Sequence, residues 1–198
     1  MVEKRVFDFC FALIGLICLT PLFIVIACII RLDSRGNIFY VQRRIGRNGI
    51  EFLLYKFRTM YVHSEQLGLL TIGYRDYRIT HIGYWLRRYK LDELPQLFNI
   101  LIGNMSFVGP RPEVRKYVET YTKQQQRVLL IKPGITDWAS ILYYNENEIL
   151  AKSENPEYLY INEIIPTKIL QNLNYIDRHN LWIDLRIIFQ TLKKVINK

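Results

Sequence analysis

The chain has 198 residues, half of them hydrophobic and 14% aromatic, with 27 Lys/Arg against 18 Asp/Glu. That length suits one domain with room for a membrane element, and the apolar content excludes a disordered chain. The net charge of +9 favours anionic partners such as lipid head groups or nucleotide phosphates. Without a zinc-finger or RNP signature, nucleic acid is the weakest of these partners. The charge is uneven: residues 1–60 carry 9 Lys/Arg against 4 Asp/Glu, residues 61–133 carry 11 against 6, and the remainder 7 against 8.

Residues 9–30 form a run of 22 without a charge. As a straight helix they would reach about 33 Å, enough to cross a bilayer. The run is too long for a signal peptide, has no clear small-x-small cleavage site, and is followed directly by Arg31. Thr20-Pro21 sits in its middle, where a proline removes a backbone hydrogen bond and costs about 3 kcal/mol in an ordinary helix interior. Lys4 and Arg5 precede the run; Arg31 and Arg35 follow it. Positive charge prefers the cytoplasmic side, so both ends are satisfied if the segment enters, bends at Thr20-Pro21 and leaves by the same face. A kinked single span is the alternative. Cys10, Cys18 and Cys28 all lie in this run and define neither a disulfide framework nor a metal site. They read as small apolar residues in a reducing compartment.

Residues 38–57 predict a β-hairpin: Phe39, Val41, Phe52 and Leu54 alternate with polar neighbours about the turn Gly46-Arg47-Asn48-Gly49. Arg43, Arg44, Arg47, Lys56 and Arg58 make it basic, mostly as a solvated face. Residues 61–78 read as helix start and loop, and residues 80–89 as a short helix ending in Arg87 and Arg88. Pro95 suits the first position of a new helix running to residue 102 and stopping at Gly103. Residues 113–130 read as one charged amphipathic helix, Lys132-Pro133-Gly134 as a turn, and the acidic residues 145–163 as a solvated helical surface. Near the C-terminus Leu181, Trp182, Leu185, Ile188, Phe189, Leu192, Val195 and Ile196 make a helical stripe beside Arg186, Lys193, Lys194 and Lys198. That stripe either packs on the core or lies in a membrane interface.

The chemistry centres on Leu91-Asp92-Glu93-Leu94-Pro95-Gln96-Leu97. Two carboxylates immediately before a helix start are stabilised as anions, in a place that also binds phosphate. An ionised carboxylate can attack phosphorus to give an acyl phosphate. Two carboxylates and a phosphate repel one another, so a divalent cation or arginines must offset the charge. Arg87, Arg111, Lys56 and Arg58 are the candidate donors, and Pro110 and Pro112 limit the movement of Arg111. The plain alternative is that Asp-Glu merely caps a helix. Adjacent carboxylates do not suit a glycosidase, whose two carboxyls flank a sugar roughly 5–9 Å apart.

These blocks, with Lys56-Phe57-Arg58-Thr59-Met60, Leu86-Arg87, Asn99, Met105-Ser106, Val108-Gly109-Pro110-Arg111-Pro112, Lys132-Pro133-Gly134-Ile135-Thr136 and Asp184-Leu185-Arg186-Ile187, resemble the bacterial sugar transferases. These are the monotopic polyprenyl-phosphate phosphoglycosyl transferases. The resemblance covers nearly the whole chain, in the family's order. It implies an α/β class, mostly helical with a small β-hairpin or sheet. Residues 1–35 would be a re-entrant membrane helix broken at Thr20-Pro21, and residues 36–198 a cytosolic catalytic domain with amphipathic interfacial helices. It implies transfer of a sugar 1-phosphate from a nucleotide diphosphate sugar, usually a UDP-sugar, to polyprenyl (undecaprenyl) phosphate. A covalent aspartyl phosphosugar forms and UMP is released, as the first membrane step of a polysaccharide, O-antigen, capsule or glycoprotein glycan. Asp92 would be the nucleophile and Glu93 its essential partner, with Mg²⁺ held at Asp92 and Glu93. Arg111, Lys56, Arg58 and Arg87 would bind phosphate, and Asp184 transfers less firmly. The place would be the cytoplasmic face of the bacterial inner membrane, among anionic lipid; a homo-oligomer is left open. Lys90, Asn104, Asp137 and Ser140 depart from the family's common residues, which leaves the sugar open but not the chemistry.

Overall fold

The computed structural model of the chain describes residues 2–68, 70–73 and 76–197. Lys198 of the C-terminal stripe, and positions 69, 74 and 75 of the stretch read as helix start and loop, lie outside the described residues.

Helix α1 (Val2–Asp33) comprises 32 residues, about 48 Å at the usual helical rise. The break expected at Thr20-Pro21 does not interrupt it. Packing on both sides of Pro21 explains why. Ala12, Leu16 and Leu19 pack with Leu54, Leu97 and Ile100, while Leu22, Phe23, Ile26 and Ile30 pack with Phe57 and Leu86. Thr20 Oγ1 donates to Leu16 O at 2.8 Å, the back-bonding that threonine favours inside helices. Burial on either side thus offsets the cost of the missing hydrogen bond. The opposite face, with Phe11, Ile14, Ile17, Ile24 and Val25, is exposed and apolar. α1 is long and apolar enough to cross a membrane, and so large a bare apolar face marks a membrane or partner surface.

Both ends of α1 are fastened to the rest of the molecule. Lys4 Nζ donates to Val108 O (2.9 Å), Tyr175 OH (3.0 Å) and Asp184 Oδ2 (2.5 Å). Arg5 donates to Ile100 O at 2.6 Å and Leu101 O at 2.9 Å. Asp8 Oδ1 accepts from Ser106 Oγ and Phe107 N, both at 3.1 Å. At the far end Asp33 accepts from Ile82 N at 3.3 Å.

Strands β1 (Phe39–Ile45) and β2 (Glu51–Phe57) form the expected antiparallel hairpin, with Phe39 opposite Phe57 and Ile45 opposite Glu51. Asn48 (φ +58°) and Gly49 (φ +74°) supply the left-handed residues of its turn. Helix α2 (His81–Arg88) is capped by Thr80, whose Oγ1 accepts from Gly83 N at 3.0 Å. A 3₁₀ turn, Leu91–Glu93, leads into α3 (Gln96–Ile102), which Gly103 ends at φ +94°. Strand β3 (Ser106–Val108) pairs in parallel with β4 (Gly134–Thr136).

The single helix expected over residues 113–130 is not formed. Helix α4 covers only Arg115–Val118, and a 3₁₀ turn covers Gln125–Leu130. Thr122 N donates to Gln125 Oε1 (2.8 Å) and Gln125 N to Thr122 Oγ1 (3.3 Å). This reciprocal capping box starts a new helical turn inside the sequence that periodicity alone runs together.

The remainder is helical: α5 (Trp138–Leu142), α6 (Glu146–Ala151), α7 (Pro156–Leu159), a π-helical turn (Tyr160–Ile164), α8 (Ile165–Arg178) and α9 (Leu181–Ile196). Glu148, Glu154, Glu157 and Glu163 are exposed as expected, but Leu150 and Tyr160 join a core with Ile164, Ile165 and Ile169. On α9, Asp184 and Ile187 face the protein. Trp182, Leu185, Phe189, Leu192 and Ile196 of the expected stripe face outward.

Candidate active site

Three local devices bring the chemistry-bearing side chains together. Lys90 takes a left-handed conformation (φ +57°), which turns the chain out of α2 into the 3₁₀ turn carrying Asp92 and Glu93. Asn99 is fully buried on α3, where its Oδ1 accepts from Tyr55 N at 3.0 Å and its Nδ2 donates to Leu53 O at 2.6 Å. That clamp fixes β2 against α3 and delivers Lys56 to Glu93, Nζ to Oε1 at 3.0 Å. Arg111 arrives from the other side. A Cβ on Gly134 would stand 2.1 Å from Gly109 N, so only glycine permits this close approach of the chain. Gly134 N donates to Pro110 O at 3.0 Å, and Arg111 N to Asp137 Oδ2 at 3.2 Å. The guanidinium then grips Glu93 with two bonds, Nη1 to Oε2 at 3.2 Å and Nη2 to Oε1.

The two adjacent carboxylates therefore differ. Glu93 is gripped by Arg111 and Lys56; burial pushes its pKa up, but those two cations overcome it and hold the carboxyl well below its ordinary range. Asp92 is as deeply buried, only 6% exposed, and its Oδ1 has no hydrogen-bond partner. Burial raises the Asp92 pKa, with Glu93 adding to the rise while Lys56, Arg87 and Lys90 oppose it. Burial lowers the Lys56 pKa against the pull of Glu93. Neither carboxylate caps α3: Pro95 holds the cap position with no side-chain hydrogen bond. The capping alternative is thereby removed.

Asp92 and Glu93 open on a cavity of about 720 Å³, also lined by Lys56, Arg87, Lys90 and Arg111. That is the size range of pockets for small molecules and cofactors. The structure brings together five of the expected residues: Asp92, Glu93, Lys56, Arg87 and Arg111. Arg58 lines the same cavity, but its guanidinium is engaged by Asn37 O (2.5 Å), Ser34 Oγ (2.7 Å) and Ser34 O (2.8 Å), which ties down the chain leaving α1. Asp184 does not line it. Its carboxylate takes Lys4 and the Tyr175 hydroxyl (2.5 Å), and the cap of α9 is Asn180. The positioning roles of two residues were missed in the sequence. Asn99 entered only through the resemblance, and its role could have been found from an amide that shares the inward face of α3 with Leu97 and Ile100. Asp137, seen only as a departure, pins Arg111.

An apolar helix fastened to a domain whose cavity holds one unpartnered carboxylate among cations defines a membrane-associated, anion-handling protein. The chain belongs to the bacterial sugar transferase family, which it matches over residues 1–198. It is 38% identical over 202 residues to a UDP-glucose:undecaprenyl-phosphate glucose-1-phosphate transferase of Xanthomonas campestris pv. campestris, covering 100% of this chain and 40% of that protein. It is 33% identical over 196 residues to a UDP-N-acetylgalactosamine-undecaprenyl-phosphate N-acetylgalactosaminephosphotransferase of Aeromonas hydrophila, 98% of this chain and 43% of the other. A third relative is the uncharacterized sugar transferase EpsL of Bacillus subtilis (strain 168), 35% identical over 196 residues, 99% of this chain and 88% of the other. The chain spans about two fifths of the length of the first two relatives.

Proposed function

We propose that this chain transfers a sugar 1-phosphate from a UDP-sugar to undecaprenyl phosphate. The observation that carries the reading is the buried, unpartnered Oδ1 of Asp92 in a cation-lined cavity. Such an oxygen is costly to bury unless a ligand completes it. The Asp92 carboxylate attacks the β-phosphorus of the donor, the bond from that phosphorus to the bridging oxygen breaks, and UMP leaves. An oxygen of undecaprenyl phosphate then attacks the same phosphorus, the aspartyl bond breaks, and undecaprenyl diphosphate sugar forms. Arg87 and Lys90 line the cavity without an ion pair among the described residues, so they are open to phosphate oxygens. Glu93 orients Lys56 and Arg111 toward the same space through its three contacts.

Mg²⁺ fits this donor set. No cluster of three His, Cys, Asp or Glu is present among the described residues, but magnesium commonly takes one or two carboxylates and completes its shell with substrate phosphates and water. Asp92, whose Oδ1 is free, would hold the ion, with Glu93 beside it engaged by Lys56 and Arg111; the ion would offset charge on the diphosphate.

The bacterial inner membrane, at its cytoplasmic face, is the proposed place of action. Support comes from α1: a continuous helix bonded to the same domain at residues 4, 5 and 8 and again at residue 33 has both of its ends held on the side of that domain. The basic residues at both ends favour the cytoplasmic side, and anionic lipid suits the net positive charge. Tags at the two ends of the chain should both be inaccessible from outside intact cells; a periplasmic tag at one end alone would end the monotopic reading. Activity is tested by UMP release from UDP-sugars with undecaprenyl phosphate and Mg²⁺. Release is expected from the wild type and lost in Asp92→Asn; full activity in that variant would remove Asp92 from the chemistry.

A further inference from the structure

One charged pair in the cavity wall makes no hydrogen bond to Asp92 or Glu93, although the charge of Glu146 acts on Arg111. Lys168 on α8 and Glu146 on α6 are ion-paired, with side chains 12% and 23% exposed. The Lys168 ammonium stands 5.3 Å from the ring centroid of Tyr160 and 5.9 Å from that of Tyr143. All four residues line the cavity that holds Asp92. The wall also connects to the nucleophile: Lys90, two residues before Asp92, lies 5.6 Å over the ring of Tyr144, the neighbour of Tyr143.

We propose that Glu146, Lys168, Tyr143 and Tyr160 form the hexose subsite, which selects among sugar-diphosphate donors by their hydroxyl pattern. The proposal rests on the transfer reading above. A pyranose presents a rim of hydroxyls and an apolar face of C–H groups. The pair offers carboxylate acceptors and ammonium donors for the rim, in charge-assisted bonds, and the half-buried Tyr143 offers flat apolar surface for the face, while Tyr160, buried in the core, backs Lys168 from behind. The hexose rather than the nucleoside is assigned because it is bonded directly to the attacked phosphorus, while the nucleoside lies one phosphate further away. A site built to hydrogen-bond a substrate hydroxyl discriminates strongly against donors that place it elsewhere, because its own polar groups are left unpaired.

The alternative is a structural ion pair that only joins α6 to α8. The two are separated with Glu146→Gln and Lys168→Arg in the full chain. UMP release is measured with UDP-glucose, UDP-galactose, UDP-N-acetylglucosamine and UDP-N-acetylgalactosamine, alongside inhibition by UDP. The subsite requires the ratio of kcat/KM between the preferred donor and its epimer to change by about tenfold or more, with inhibition by UDP unchanged within about twofold. Lys168→Arg keeps the ion pair, so it holds the fold should Glu146→Gln not, and its donor ratio should still shift. Unchanged ratios in a folded variant, or a UDP inhibition constant that rises together with donor KM, would overturn the assignment. A wild type that releases UMP from none of these donors would sink the transfer reading, and this subsite with it.

Discussion

Two groups of buried carboxylates can be compared within this molecule. At the foot of α1, Asp8 and Asp184 are 3% and 2% exposed and both carboxylates are bonded: Ser106 and Phe107 donate to Asp8 Oδ1, and Lys4 and Tyr175 to Asp184. In the cavity, Glu93 is likewise bonded, yet its neighbour Asp92 keeps a buried oxygen without a partner. Burial is alike; the hydrogen bonding differs. The first group is a latch that fastens α1 to the domain; in the second, the proposed function assigns the unpartnered oxygen of Asp92 to a ligand. Unsatisfied buried polar groups in native structures commonly mark such functional sites.

The largest expected effect separates the two groups by activity. Asp92→Asn should lower UMP release by at least about 10³-fold, as loss of a covalent nucleophile does, while leaving the chain folded or more stable. The sign follows from the raised pKa: the ionised carboxylate weakens the fold above that pKa, and the penalty vanishes as pH falls toward the unfolded value near 3.9. The melting temperature of Asp92→Asn should therefore exceed that of the wild type at pH 7, and the gap should close on acidification. The activity of the wild type should also fall on the acid side at a pH above the ordinary aspartate range. An acid limb at or below that range would remove the buried, pKa-shifted base from the account.

Next comes the latch. Lys4→Met leaves Asp184 buried without its cation and should destabilise by about 3 kcal/mol, the low end for a broken buried pair because Lys4 is partly exposed. Adding Asp184→Asn should recover much of that loss, since the uncompensated charge is gone. Thermal melts of the single and double variants make the measurement; equal losses would mean that the contact is not an ion pair of consequence.

Glu93→Gln should lie between latch and nucleophile, losing both stability and activity, because Lys56 and Arg111 are left facing each other. Its depressed pKa makes the stabilisation of the ionised form complete above about pH 4.3 and lost as pH falls through the folded value. The stability gap to the wild type should be full at pH 7 and shrink in acid. The smallest effect is expected for Tyr160→Phe, about 1 kcal/mol for one lost hydrogen bond to Glu113.

What could be read from the sequence was local. Asn48-Gly49 at the hairpin turn, Gly103 at the end of α3 and the uncharged run of α1 each act within a few residues and stand where expected, while Pro95 stands at the cap of α3, one position before its first residue. The pairing of Asp92 with Glu93 was visible too, but not their opposite fates, because those depend on Lys56 from 37 positions before and Arg111 from 18 after Glu93. Arg58 looked like another phosphate ligand, and nothing nearby announces that Ser34 and Asn37 engage it. Periodicity ran residues 113–130 into one helix because the capping box at Thr122 and Gln125 carries no hydrophobic signal. The outward face of α9 was equally undetermined, since a stripe says that a helix has an apolar side and not where that side points.

The central claim is that Asp92 is left unpartnered in order to bond phosphorus. It is tested most directly by intact-mass analysis of the detergent-solubilised full chain, incubated with a UDP-sugar and Mg²⁺ but without undecaprenyl phosphate. The account predicts an added mass of one phosphosugar, mapped by peptide sequencing to Asp92, absent in Asp92→Asn and discharged when undecaprenyl phosphate is supplied. Turnover to UMP and lipid-linked sugar with no adduct at any stage, or an adduct on another residue, would contradict it.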